Sequence, residues 1–167
     1  MFKHSIFMFL ILLSISSNFP MAQENPNEPE TKGEYRPVEK FDPNRDACKD
    51  IEEGLQEASR TKKRVILDVG GDWCVWCRRL SAFIASHRSV QEALRRHFIL
   101  VKINFSKENR NEQALSPYPK IKGYPHLFVL EKDGKLLYSK DTGELEEGNS
   151  YSEEKILRFL EEWVPSR

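Results

Sequence analysis

Arg64-Val-Ile-Leu-Asp68-Val-Gly-Gly-Asp-Trp73-Cys74-Val-Trp-Cys77 is the stretch that decides the architecture. Arg64 to Val69 is short and β-branched, bounded by Thr61-Lys62-Lys63 and Gly70-Gly71, and so predicts a buried central strand. Beyond the glycines, Trp76, Leu80, Phe83 and Ile84 recur at helical spacing as far as about His87. A helix therefore opens at Cys74, where unpaired backbone N–H groups and the helix dipole favour a thiolate over a thiol. Cys77 lies three residues on and on the same face, which brings the two Cα atoms within the ~4.4–6.8 Å a disulfide tolerates. Such a pair opens and closes without refolding. Cys74, expected to be exposed, attacks a partner's disulfide, and shielded Cys77 resolves the mixed disulfide.

Cys-x-x-Cys is also half of many zinc sites. The candidates for further ligands are Cys48, His87, His97 and His126, which are scattered and form no second Cys-x-x-Cys and no His-x-x-x-His, so no metal is expected. Covalent haem attachment needs His directly after the second Cys, where this chain has Arg78.

To the N-terminal side, Ala47, Ile51, Leu55 and Ala58 predict an amphipathic helix over 46–60, capped by Asn44 or Asp46. Cys48 shares a side with Ile51 and Leu55 and is expected to be a small buried residue. To the C-terminal side follow a short helix over Val90 to His97 and a buried strand over Phe98 to Asn104. A hairpin then flanks Asp133-Gly134 through Leu127 to Leu130 and Lys135 to Tyr138. A last helix, Ser152 to Trp163, has Ile156, Phe159, Leu160 and Trp163 on its apolar face. Two parallel strands joined through helix, then a hairpin and a helix, make a small α/β sandwich with a mixed sheet.

The whole chain has 167 residues, 39% of them apolar, with 26 basic and 26 acidic side chains. The even balance excludes a nucleic-acid binder held by a broad basic surface. Three cysteines are too few for a disulfide-scaffolded miniprotein. Lys3 followed by an apolar run from Ile6 to Ile15 predicts a signal peptide over residues 1–22, cleaved after Ala22. As a helix that run of about ten residues rises ~15 Å, half of a ~30 Å hydrocarbon core, so no lasting membrane insertion is expected. Export places the cysteines in an oxidising compartment, periplasmic or extracellular. Residues 23–40, rich in Pro and Glu with only Tyr35 and Val38 apolar, read as a disordered linker, which leaves 41–167 as the folded domain. With no Gly-rich dinucleotide fingerprint and no phosphate loop, the expected electron carrier is the cysteine pair itself, without a cofactor.

Beyond the two cysteines, further positions resemble the thioredoxin superfamily. Asp68 lies six residues before the first Cys and Trp73 immediately before it. Lys102 stands on the next strand, in Leu100-Val-Lys-Ile-Asn104. Gly123-Tyr124-Pro125-His126 is similar to the family's cis-proline loop, and Gly143 to the glycine before its last helix. The likeness spans about residues 44–164. With Ser89-Val-Gln-Glu-Ala-Leu94 downstream, it looks nearest to secreted thioredoxin-like proteins and to the C-terminal domain of the membrane thiol:disulfide interchange reductases.

The resemblance implies a thioredoxin-like fold and a thiol:disulfide oxidoreductase that reduces protein disulfides and is recharged by a membrane electron donor. Cys74 would be the nucleophile and Cys77 the resolving thiol. Asp68, a carboxylate costly to bury, would exchange a proton with Cys77, unless Lys102 merely neutralises it for structural reasons. A cis Tyr124–Pro125 bond would lie against the cysteines and clamp an extended substrate segment.

Val75-Trp76 replaces the family's usual Gly-Pro. Trp76 either shields the thiolate, forms a substrate platform with Trp73, or packs against the helix behind it. His126 is expected buried on the sheet face away from the cysteines, Arg78 and Arg79 on the solvated helix surface, and Glu144, Glu146 and Glu147 in a solvated turn. Two other roles share these features: an oxidant or isomerase of the same fold, and a non-enzymatic module that binds a partner or a metal.

Overall fold

A computed structural model describes residues 35–166. The signal peptide expected at 1–22 and most of the linker expected at 23–40 lie outside these residues.

Asp46 caps the first helix, α1 (Ala47–Thr61), accepting from the backbone N–H groups of Cys48 and Lys49. Lys62, left-handed at φ 57°, ends it. Strand β1 (Arg64–Gly70) is buried along almost its whole length, as a β-branched run in the middle of a sheet must be. Helices α2 (Val75–Ser86) and α3 (Arg88–His97) follow, then β2 (Phe98–Asn104) and a single turn, α4 (Glu112–Leu115). Strands β3 (His126–Leu130) and β4 (Leu136–Asp141) form the expected hairpin, with Gly134 at φ 88° in its turn. A 3-10 turn (Thr142–Leu145) leads into a two-residue hairpin of β5 (Glu146–Glu147) and β6 (Ser150–Tyr151) before α5 (Glu153–Glu162).

The main sheet has the order β2-β1-β3-β4. β1 and β2 are parallel, while β3 is antiparallel to both β1 and β4. Alternation along β1 divides the core in two. Val65, Leu67 and Val69 join Val101, Ile103, Phe128 and Leu130 beneath α1. Ile66 joins Leu127 and Val129 against Leu80, Phe83, Val90, Leu94, Ile156, Phe159 and Leu160 of α2, α3 and α5. Among the described residues no helix is long and apolar enough to cross a membrane.

Two expectations are corrected by the packing. Cys48 is an exposed free thiol. The buried face of α1 runs through Ala47, Ile51, Gly54 and Ala58, and Cys48 sits one residue, about 100°, away from its centre. The packed region also begins before Phe41: Val38 is buried and bridges in parallel to Val101 on the edge of β2, where Lys102 N–H donates to its carbonyl. The acidic turn is solvated as expected: Glu144 and Glu147 are exposed and Glu146 half-buried along the 3-10 turn and β5, with an ion pair from Lys140 to Glu144.

Candidate active site

Strand β1 delivers the chain to α2 through Gly70-Gly71-Asp72-Trp73, and Cys74 is the N-cap of α2 with extended backbone (φ −87°, ψ 117°). Its Sγ accepts from the Cys77 backbone N–H at 3.1 Å, so an orphan donor of the helix end points at the sulfur. Cys74 and Cys77 are joined as a disulfide, with their Cα atoms 5.2 Å apart. Cys74 is not the open group expected from its position: it is 6% exposed against 1% for Cys77. Phe41, Trp76 and Tyr124 pack around the pair, and the Tyr124 carbonyl oxygen lies 3.4 Å from Cys74 Sγ. Cys74 is nevertheless the more accessible residue of the two.

Close approach explains the paired glycines. A Cβ at Gly70 would stand 2.5 Å from Cys77 Sγ and 3.3 Å from the Phe41 ring, and one at Gly71 would stand 2.5 Å from Trp73 Nε1. A larger residue at Gly70 would push the strand away from the redox pair, and one at Gly71 would displace the Trp73 ring.

Beneath the pair, on the α2 side of the sheet, Asp68 and Lys102 face each other across β1 and β2 in register. Lys102 Nζ donates to Asp68 Oδ2 at 2.6 Å and to Ser81 Oγ at 2.9 Å, and lies 4.4 Å from the Phe41 ring centroid. Ser81 Oγ in turn donates to the Cys77 carbonyl at 3.0 Å. Asp68 Oδ1 is buried without a hydrogen-bond partner among the described residues. Asp68 also borders an apolar cavity of about 20 Å³ lined by Ile66, Leu80 and Leu127.

At the rim, Trp73 is 57% exposed yet pinned, its Nε1–H donating to the Phe105 carbonyl at 2.6 Å and its ring edge-on to Tyr124 at 5.6 Å. Tyr124 stacks on Phe105 at 4.9 Å, and burial raises the pKa of its phenol. The Tyr124–Pro125 peptide is cis, and the Pro125 carbonyl accepts from Thr142 Oγ1 at 2.6 Å. Of the roles open to Trp76, the structure shows the ring half-buried and edge-on to Tyr151 of β6 at 5.6 Å, with the Arg79 guanidinium over its face at 4.5 Å. Arg78 is exposed and donates to the Asp72 carbonyl.

His126 begins β3 on the face shared with Phe128, away from the cysteines. It is buried, its Nε2 is 2.8 Å from Ser139 Oγ, and burial lowers its pKa below the ordinary 6.5. His87 instead stacks on Phe83 at 3.7 Å, and His97 ends α3. Among the described residues no three His, Cys, Asp or Glu side chains gather as a metal site. Three participants carried no signal in the sequence: Phe41, Phe105 and Tyr151. A fourth, Ser81, had only its place one helical turn beyond Cys77.

The fold and the cysteine pair at a helix mouth define a thioredoxin-type redox domain. Residues 46–132 match the family model described as thioredoxin-like, and the chain belongs to that family. It is 26% identical over 93 residues to the disulfide bond reductase DsbH of Chlamydia pneumoniae, which covers 51% of this chain and 56% of that protein. It is 27% identical over 85 residues to the thiol:disulfide interchange protein DsbD of Actinobacillus pleuropneumoniae, covering 50% of this chain and 14% of that much longer protein. Among solved structures, a disulphide isomerase from Xylella fastidiosa superimposes with a TM-score of 0.64 at 29% identity, covering 73% of this chain and 94% of the other.

Proposed function

We propose that the chain is an exported thiol:disulfide oxidoreductase that reduces disulfides in proteins through Cys74 and Cys77. The observation that carries this is the position of Cys74 Sγ, at a helix N-terminus, accepting from the Cys77 N–H, and already bonded to its partner sulfur. A backbone donor and the helix dipole stabilise a thiolate there, which is the reacting species in exchange.

In the reduced protein the Cys74 thiolate attacks one sulfur of the substrate disulfide. A mixed disulfide forms, and the other substrate sulfur leaves as a thiolate. Cys77 then gives up its proton and attacks Cys74 Sγ, which closes the Cys74–Cys77 bond and releases the second substrate thiol. Two electrons pass from the cysteine pair to the substrate, and no further cofactor takes part. Asp68 is the proton acceptor for Cys77, because its Oδ1 is buried without a hydrogen-bond partner among the described residues. Lys102 keeps that carboxylate tolerable inside the sheet.

The exposed rim of Trp73, with Tyr124 and Pro125 beside it and Trp76 behind, is the docking surface for an extended segment of the substrate protein. The proposed donor that returns the pair to the dithiol is a membrane thiol:disulfide protein. Names of the relatives support the reductive direction: DsbH is called a disulfide bond reductase.

Insulin reduction by dithiothreitol, followed as turbidity, tests this. The wild-type chain is expected to accelerate it, while Cys74→Ser falls to the uncatalysed rate. Equal rates for the two proteins would overturn the proposal and leave a binding module.

A further inference from the structure

The Asp68–Lys102 ion pair is held by a third group that the exchange reaction described above does not use. The Lys102 ammonium has three N–H donors. One goes to Asp68 Oδ2 and one to Ser81 Oγ, while the Phe41 ring covers it at 4.4 Å. Ser81 has a single hydroxyl hydrogen, and it is given to the Cys77 carbonyl one turn earlier in α2. Serine often bonds back along a helix in this way. The acceptance from Lys102 is what sets Ser81 apart, because it joins the backbone of the resolving cysteine to the buried ion pair.

We infer that Ser81 is a positioning residue for the resolving step: by holding the ammonium between Asp68 Oδ2 and α2, it leaves Asp68 Oδ1 open to receive the Cys77 proton. The geometry is specific. Asp68 uses one oxygen for the lysine, and the other is buried without a hydrogen-bond partner among the described residues. Without the hydroxyl, the ammonium loses an acceptor in surroundings that offer few others. It is then free to approach Oδ1 as well, and a cation against that oxygen weakens its pull on the Cys77 proton. The same loss untethers Cys77 from the pair. The hydroxyl's bonds run to the Cys77 carbonyl and to Lys102 rather than to Cys74, so the first attack stays as it was.

This role rests on the proposed exchange reaction, and the test separates the two. The reduced full chain, carrying Cys48→Ser to remove the exposed third thiol, is mixed rapidly with dithiobis-nitrobenzoate, which releases one coloured thiolate when Cys74 attacks and a second when Cys77 closes the bond. Ser81→Ala is expected to slow the second release about tenfold while leaving the first within about twofold, and Ser81→Thr, which restores a hydroxyl, is expected to bring the second back. In nitrogen-labelled lysine samples, the Lys102 ammonium is expected to exchange its protons slowly in the wild type and faster in Ser81→Ala. That readout needs no turnover. Unchanged second release in Ser81→Ala, equal slowing of both releases, or failure of Ser81→Thr to restore the rate would each overturn the positioning role. Absence of any burst from Cys74 in the wild type would instead overturn the exchange reaction beneath it.

Discussion

Gly70 is where the smallest side chain has the largest consequence. Its missing Cβ is the space occupied by Cys77 Sγ and the edge of Phe41. Gly70→Ala is therefore expected to lower stability by about 1–3 kcal/mol, the usual cost of overpacking a filled site, and to do so in the disulfide form. Denaturant unfolding of the oxidised protein measures it, and a change within about 0.5 kcal/mol would mean that the strand yields freely. At this scale the sequence carried the groups whose identity is local. Cys74 and Cys77 were legible because a strand, two glycines and a helix follow one another within a few residues. Asp68 and Lys102 were singled out only by the resemblance to the thioredoxin superfamily. Ser81 and Phe41 were not, because each acts across the gap between elements, and no spacing along the chain reveals which hydroxyl or ring will fill it. Cys48 shows the same limit from the other side: one residue of helical phase separates a buried position from an exposed one.

Strand β3 carries its own test. His126, its first residue, has its imidazole buried beside Phe128, and burial lowers its pKa below the ordinary 6.5. The unfolded chain therefore takes up a proton at a higher pH than the folded one. Between those two values the unfolded state binds more protons, so stability falls as pH falls. Unfolding free energy is expected to decline from about pH 7.5 to about pH 5.5, and His126→Gln to flatten that decline. A wild-type protein with no decline over this window would contradict the buried neutral imidazole. The long elements were readable because each obeys one strong pattern: β1 and β2 are apolar runs interrupted inside by a single charge each, Asp68 and Lys102, and α1 and α5 keep an apolar stripe. The two-residue hairpin of β5 and β6 was not, since strands so short leave no alternation to detect. Yet it is that hairpin which brings Tyr151 against Trp76 and settles where the unusual tryptophan between the cysteines packs.

For the molecule as a whole, the sheet order β2-β1-β3-β4 sets the chemistry. The central strand β1 ends under the first turn of α2, its neighbour β2 contributes the lysine, and its other neighbour β3 is entered through Pro125. Nucleophile, buried ion pair and rim thus meet at one end of the sheet, as ligand sites do in α/β folds. Titrating the Cys74–Cys77 pair against glutathione redox buffers tests the reductive role most directly. The expected result is a reversible two-electron transition near the ~−270 mV of a reducing thioredoxin. A value near ~−120 mV, as for a strong oxidant, or a pair that does not open at all, would contradict it.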